Sequence, residues 1–408
     1  MKNGFELPLK GIKVVEFANF VAAPTAGRIL SDFGAEVIKI EVLGGDKLRD
    51  MAQYEGIVGE EDKNPIFTAT NSGKALIALD IKAPEAKEAL LKLLEDADVF
   101  ISNVRMASLK KLGLDYDSIC NEFPRLIYAH FSGYGLKGPE CGKPGFDTTA
   151  YWTKNGALST WTVADSFPIK PTLGFGDISS GSSFLSGILI ALLGREKTGH
   201  GTFLSSSLLS SSVWYSSLGL ISQQKNVGKP QTNDPLRPAD PFCHFYKCAD
   251  GKYISISDNS YGSDLERFAH LFGIENILQE EKFSDLTLLH ETDAVKELTE
   301  LLNSIFLQKS SGEWIVFLEK NNVACEKILS LTELAEDPQV IANSYVEKLE
   351  FKEELQVTMP MPPIKFNNYD MRPYNSESRI GKDTVRIFKD LGYTEAEIEN
   401  LKARNIIR

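Results

Sequence analysis

Short β-branched apolar runs alternate along the first half of the chain with segments whose apolar residues recur every three or four positions. Gly11–Phe17 (GIKVVEF), Ala35–Glu41 (AEVIKIE), Ala75–Ile81 (ALIALDI), Asp98–Asn103 (DVFISN) and Arg125–Gly133 (RLIYAHFSG) read as buried strands. Between the first two, Pro24 opens a helix that ends at Gly34, the usual placing of proline at the start and glycine past the end. Pro84–Asp96 carries apolar residues at 86, 89, 90, 93 and 94, one stripe of a helix. MASLKKLGL and DYDSICNEF supply further helical patterns between the last two strands. Repeated strand–helix–strand units predict an α/β fold, a parallel sheet covered by helices with right-handed crossovers.

The pattern then changes. A long apolar helix, SSGSSFLSGILIALLGREKTG, follows Asp177 and closes on Lys197-Thr198-Gly199, basic residues and then a capping glycine. Ser205–Ser217 is serine-rich but punctuated by Leu, Val, Trp and Tyr, and reads as a packed helix. Val227–Pro241, rich in Pro, Asn and Asp, reads as a connection. FYKCADGKYISIS predicts a hairpin turning at Asp250-Gly251, followed by helices around 261–273, 291–308 and 313–321. The tail passes through Pro-rich Met359–Pro363 into two helices, the last opened by a capping box of Thr394 and Glu397. The expected organisation is a large Rossmann-like domain over 1–224, a smaller α+β domain over 225–330, and a linker with a return to the large domain over 331–408.

Charge and composition narrow the partners. The chain has 408 residues and a formal net charge of -12, so its surface repels phosphate backbones and anionic lipids. Nucleic acid and membrane are therefore not expected as partners, and an anionic ligand needs a local basic patch. The five cysteines, Cys120, Cys141, Cys243, Cys248 and Cys325, are odd in number and widely spaced, which fits a reducing compartment. The first residues lack the apolar segment of a signal peptide. The apolar run Phe184–Leu193 is too short to span a bilayer. The cytoplasm is the expected location.

The segment GFGDISSG, Gly174–Gly181, carries the sharpest chemical signal. Asp177 sits in a glycine-flanked turn before the long helix. The helix dipole and following amides would keep a carboxylate there ionised, ready to attack a thioester, and could hold the oxyanion that forms. The same residue also fits an ordinary helix N-cap. The glycine-rich stretch Gly133–Asp147, and Asn103 with Arg105, follow strand ends, where α/β enzymes place functional loops and where a cation meets phosphate. Each also fits plain surface. Glu41 ends a strand as a ribose-binding residue would, but the first turn, ANFVAAPTAG, lacks G-x-G-x-x-G, so a nicotinamide site is not expected. Cys243, His244 and Cys248 lie on one predicted strand without a second ligand pair, and no metal is expected. The histidines form no catalytic constellation, and neither G-x-S-x-G nor a P-loop occurs.

Taken in order, LKGIKVVEFANFVAAPTAGRILSDFGAEVIKIE, GDKLR, ALDIKAPEAKEAL, ADVFISNVR, LGLDYDSI, GYGLKGP, PGFD, GDISSG and ALLGREKTGHG resemble the class III CoA-transferase family. ANFVAAPTAGR and PGFDTTAYW look most like its 2-hydroxyacyl-CoA transferases from amino-acid-fermenting anaerobes, of the 2-hydroxyisocaproate and phenyllactate types. The resemblance implies two interlocked subunits, each with a Rossmann-like domain built from both chain ends. It implies coenzyme A as co-substrate, with no tightly bound cofactor. It makes Asp177 the nucleophile, carrying first an acyl anhydride and then a CoA thioester. It places CoA and substrate contacts at Asn19, Phe20 and Val21, at Glu41 and Val42, at Lys74, at Asn103, Val104 and Arg105, at Tyr134 and Gly135, and at Phe146 and Gly176.

The chain also departs from the pattern. The formyl-CoA enzyme has glutamine where Val21 stands and arginine where Val42 stands, and its glycine-rich lid is missing, because Pro241 runs almost directly into the hairpin. Val21 and the aromatics Tyr151, Trp152 and Trp161 suit a bulky hydrophobic acid, and the three aromatics equally fit the protein core. A 2-methylacyl-CoA racemase of the same superfamily is the nearest rival, but it has a histidine where Phe146 stands. A CoA- or nucleotide-binding module without chemistry is a further alternative.

Overall fold

The computed structural model describes residues 6–54, 56–228, 233–258 and 260–408. Residues 229–232 of the Val227–Pro241 connection and the first five residues of the chain lie outside the described residues. Two compact units form. One gathers 1–157, 170–228 and 339–408, and the other 158–169 and 229–338.

The larger unit is organised by one sheet. Its strands are β1 (Lys13–Phe17), β2 (Glu36–Glu41), β3 (Ala75–Ala78), β4 (Val99–Ser102), β5 (Ile127–Ser132) and β6 (Phe203–Ser207). They run in the order β3-β2-β1-β4-β5-β6, every neighbouring pair parallel. Val15 stands between Ile38 and Phe100 in register. The central strands are apolar throughout because helices cover both faces and leave neither to water. On one face Val15, Ile40, Ile77, Phe100 and Tyr128 pack with Leu90 and Leu94 of the helix Pro84–Glu95. Phe388 and Ile398, from helices near the C-terminus, join the same core. Helices Ala22–Asp32 and Phe175–Thr198 pack against each other.

The exposed edge of β3 is occupied by the end of the chain. Asp80 N–H donates to Ile406 O at 2.8 Å, Arg408 N–H donates to Ala78 O at 3.1 Å, and Thr384 Oγ1 accepts from Ala78 N–H at 3.1 Å. An open edge with unpaired amides is thereby closed within the same chain.

The smaller unit is α+β. Strands β7 (Cys243–Lys247), β8 (Tyr253–Ser257) and β9 (Cys325–Lys327) form an antiparallel sheet. The hairpin turns at Asp250-Gly251, as its sequence predicts. Helices Tyr261–Phe272, Ala294–Phe306 and Ser311–Lys320 cover it over stacked aromatics, Phe242 on Phe268 and Tyr246 on Phe306. A separate antiparallel pair, β10 (Val346–Glu350) and β11 (Gln356–Pro360), belongs to the larger unit.

Several expectations need correction. Ser205–Ser217 is not one helix: Phe203–Ser207 extends the parallel sheet and Leu208–Tyr215 then turns helical. Pairing along β5 overrides the weak strand propensity of a serine run. The helix around Pro24 begins earlier, at Ala22. The helix after the GFGD turn begins at Phe175, before Asp177, and its 24 residues are long and apolar enough to cross a bilayer by length and composition alone. The shorter run Phe184–Leu193 understated that length. Part of the helix, Phe184, Leu185, Ile188 and Arg195 included, is buried against the unit's core, and Arg195 pairs with Asp98 at 2.7 Å. The short strands β9, β10 and β11 escaped the sequence reading because none carries an extended apolar run.

Candidate active site

A parallel sheet in this strand order reverses direction of growth between β1 and β4. The loops leaving the carboxyl ends of those two strands diverge and open a crevice. Here they are tied together: Asn19 N–H donates to Asn103 Oδ1 at 2.9 Å, and Asn103 Nδ2 donates back to Asn19 O at 2.7 Å. Above this junction lies a cavity of about 1410 Å³. That exceeds the usual size of a pocket for a small ligand and suits a coenzyme-sized one.

Asp177 lines this cavity. The helix Phe175–Thr198 delivers it, starting from Gly174, whose φ of +68° is a left-handed conformation that favours glycine. Asp177 is therefore the third residue of the first turn and not the cap.

A second carboxyl stands beside it. Asp147 opens a π-helical turn, Asp147–Thr153, a rare geometry that recurs at functional sites. Gly176 is pressed against it: a Cβ at that position would lie 2.2 Å from Asp147 Oδ1 and 2.5 Å from the Tyr151 ring. The N–H groups of Asp177 and Gly176 and the Trp152 indole all favour the charged form of Asp147, but burial outweighs them and raises its pKa. Asp177 is pushed up to about 7, chiefly by loss of hydration and secondly by the charge of Asp147. Both expectations for Asp177's surroundings are thereby corrected. Its carboxyl does not simply stay ionised, because desolvation outweighs the helix dipole. Its neighbouring amides are not free for an oxyanion: those of Gly176 and Asp177 face Asp147, and that of Ile178 donates to Gly174 O at 2.9 Å.

Of the residues named from sequence, Asn19, Phe20, Val21, Asn103, Arg105, Phe146 and Asp177 line one cavity. The others lie off it. Glu41 is buried and forked by Arg49, with both Nε–Oε2 and Nη2–Oε1 at 2.8 Å. Lys74 is buried on Glu16 at 2.7 Å, its pKa lowered to about 7 by desolvation despite that partner. Val42 is exposed away from the lining. Val104 is bonded through its carbonyl to His130 Nε2 at 2.9 Å. Tyr134 is buried beneath Lys143, and Gly135 N–H donates to Ser132 Oγ at 3.0 Å. Gly176 is the spacer between the two carboxyls. Tyr151 and Trp152 are buried in protein and do not line the cavity, and Trp161 belongs to the smaller unit.

Sequence reasoning passed over Asp147, although it ends the PGFD segment, and over the cations Lys110, Lys111 and Lys170, which line the cavity together with Arg105. The Lys110-Lys111 pair, on the short helix Met106–Leu112 that follows β4, was the available signal. His130 also lines the cavity, buried, with burial lowering its pKa. Among the described residues no group of His, Cys, Asp or Glu is clustered to hold a metal ion, and all five cysteines are free.

A carboxyl-bearing helix start beside a crevice at the sheet's switch point, lined by cations in an acidic protein, suits an enzyme that handles an anionic ligand. The chain belongs to CoA-transferase family III, whose model matches residues 9–384. It is 33% identical over 400 residues to the (R)-2-hydroxy-4-methylpentanoate CoA-transferase of Clostridioides difficile, covering 98% of this chain and 99% of that one. It is 32% identical to the cinnamoyl-CoA:phenyllactate CoA-transferase of Clostridium sporogenes, over 96% of this chain and 95% of the relative. The human alpha-methylacyl-CoA racemase is 25% identical over 98% of both chains. A CAIB/BAIF family protein from Brucella suis has the same fold, with a TM-score of 0.80 and 27% identity over 95% of this chain and all of that one.

Proposed function

We propose that the protein transfers CoA from an acyl-CoA to a free hydrophobic (R)-2-hydroxy acid through covalent intermediates on Asp177. The observation that carries this reading is the Asp177 carboxyl, set at a helix start inside a coenzyme-sized cavity that is also lined by cations.

Each step moves an anion onto a carbonyl and expels another anion. The Asp177 carboxylate attacks the thioester carbon of the donor, the C–S bond breaks, and CoA thiolate leaves a mixed anhydride. The thiolate attacks the Asp177 carbonyl of that anhydride, and the donor acid departs as a carboxylate from an aspartyl-CoA thioester. The acceptor carboxylate attacks the thioester and frees the thiolate. The thiolate then takes the acceptor's acyl group and returns Asp177 to a carboxylate. No proton is transferred, so the working form of Asp177 is the ionised one, present above its pKa of about 7. Asp147 holds the first turn of the helix through the amides it faces and keeps Asp177 oriented.

Arg105, Lys110, Lys111 and Lys170 suit the phosphates of CoA. Phe20, Val21, Phe146, Leu173 and Leu208 make the remaining wall apolar, which supports a bulky hydrophobic acid, as do the names of the two clostridial relatives. We place the enzyme in the cytoplasm, in amino-acid fermentation, as a homodimer. Ile190, Leu193, Trp214 and Leu218, exposed on the helix Phe175–Thr198 and the segment after it, support a second copy as their cover.

The test is direct. The protein is incubated with an acyl-CoA and a second hydrophobic 2-hydroxy acid, and both products and intact protein are followed by mass spectrometry. A new acyl-CoA, with a CoA-sized adduct on Asp177 that hydroxylamine removes, is expected. Deuterium uptake at C2 without exchange would assign the racemase reaction instead. Position 146 argues against that outcome, because Phe146 carries no proton. Binding without either reaction would leave only a binding module.

A further inference from the structure

Phe20 has a φ of +63°, a left-handed conformation that a bulky β-carbon disfavours. Such strain persists only where the surroundings over-determine it, and such positions gather at functional sites. The surroundings here are a buried charge network that the transfer chemistry does not use. Asp46 Oδ1 accepts from Phe20 N–H at 2.9 Å and from Leu48 N–H at 2.9 Å. Its Oδ2 pairs with Lys39 Nζ at 2.9 Å. Lys39 Nζ also reaches Glu16 at 3.1 Å and donates to Ala18 O at 2.7 Å. Asp46 N–H in turn donates to Glu41 Oε2, the carboxylate that Arg49 forks. Lys39, Asp46, Glu16 and Glu41 are all buried, and none lines the cavity.

The chain from Ala18 to Phe20 is thus clamped from three directions: Ala18 by Lys39, Asn19 by Asn103, and Phe20 by Asp46. The result is visible in the cavity. The Phe20 ring meets Phe146 edge-on, with ring centres 5.6 Å apart, and both side chains line the cavity that holds Asp177.

We propose that Asp46 is a positioning residue for acyl selectivity: by holding Phe20 in its left-handed turn it builds the Phe20–Phe146 wall against which the acid's hydrophobic group packs. This rests on the reading of the cavity as an acyl-transfer site for bulky acids. Asp46 reaches the substrate only through Phe20. One Asp46 oxygen accepts both amides, which is what holds Phe20, while the other neutralises Lys39. Asn retains the first role alone, and Ala retains neither.

The experiment compares wild type with Asp46→Asn, Asp46→Ala and Phe20→Ala, using a bulky 2-hydroxy acid and acetate as acceptors. Chains carrying 4-fluorophenylalanine are followed by 19F NMR, with signals assigned through Phe20→Leu and Phe146→Leu. Asp46→Ala and Phe20→Ala are each expected to cut the bulky-over-acetate ratio of kcat/KM by about tenfold, through KM of the acid. Asp46→Asn should keep most of the ratio. The Phe146 fluorine signal should shift in Asp46→Ala and stay in Asp46→Asn. Equal loss toward both acids with an unmoved Phe146 signal would make Asp46 merely structural and overturn the proposal. If Asp46→Ala does not fold, an unchanged ratio in Phe20→Ala overturns it equally. Absence of transfer by wild type would sink the transfer reading, whereas the fluorine signals would still decide whether Asp46 places the two rings.

Discussion

Replacing Asp177 by Asn tests whether desolvation governs this carboxyl. Its pKa rises from 3.8 to about 7 in the folded chain. A shift of roughly three units corresponds to about 4 kcal/mol of preference for the protonated form. The residue is only half-buried and lines the cavity, so screening reduces the effective figure to about 2 kcal/mol. The folded protein binds this proton more tightly than the unfolded chain does. The penalty is therefore absent near pH 4, grows as pH rises between the unfolded and folded values, and is complete above about 7. Asparagine reproduces the shape and neutrality of the protonated acid. Asp177→Asn should accordingly lose transfer by a factor of 10³ or more, yet be more stable than wild type by about 2 kcal/mol at pH 8 and by only about 0.5 kcal/mol at pH 4.5. Urea denaturation of both proteins at pH 4.5, 6 and 8 measures this. A gain independent of pH, or a loss at pH 8, would refute the electrostatic account whatever happened to activity.

The remaining predictions concern Asp177 and the groups around it. In wild type, kcat/KM for acyl-CoA should rise with pH and level off above about 7, since only ionised Asp177 attacks; a flat profile from pH 5 to 9 would contradict this. Asp147→Asn removes the second cause of that raised pKa, so the acidic limb should move to lower pH, read from the same profile. Gly176→Ala drives a methyl group into Asp147 and Tyr151 and should cost about 2 kcal/mol of stability, with at least tenfold lower kcat, seen in denaturation and steady-state assays. Lys110→Ala and Lys111→Ala should each raise KM for acyl-CoA about fivefold, equivalent to about 1 kcal/mol, with kcat unchanged and weaker salt dependence in titrations.

The strands β1 to β5, the hairpin at Asp250-Gly251 and the capping box at Thr394 were legible because each is announced by local periodicity or by a turn residue with a fixed backbone preference. β6 was not, because Phe203–Ser207 becomes a strand only by pairing with β5, a partner far away in the chain. Asp177 stood out through its glycine-flanked turn. Its environment did not: Asp147, thirty residues earlier, meets it only after the π-helical turn and the start of the long helix are packed together. The contacts assigned to Glu41 and Lys74 illustrate the same limit. Charges flanking strands look like ligand contacts in one dimension, whereas in the fold Glu41 pairs with Arg49 and Lys74 with Glu16.

What the amino-acid order determined alone is therefore the strands β1 to β5 with the helices between them, the parallel α/β architecture, and a carboxyl in a glycine-rich turn, all consequences of periodicity and backbone preference within a few residues. Tertiary structure alone decided which charges face the cavity, that Asp177 titrates near neutrality, and that Phe20 is held in a conformation its own side chain disfavours. Desolvation and ion pairing depend on what surrounds a group in three dimensions, and those neighbours come from distant parts of the chain.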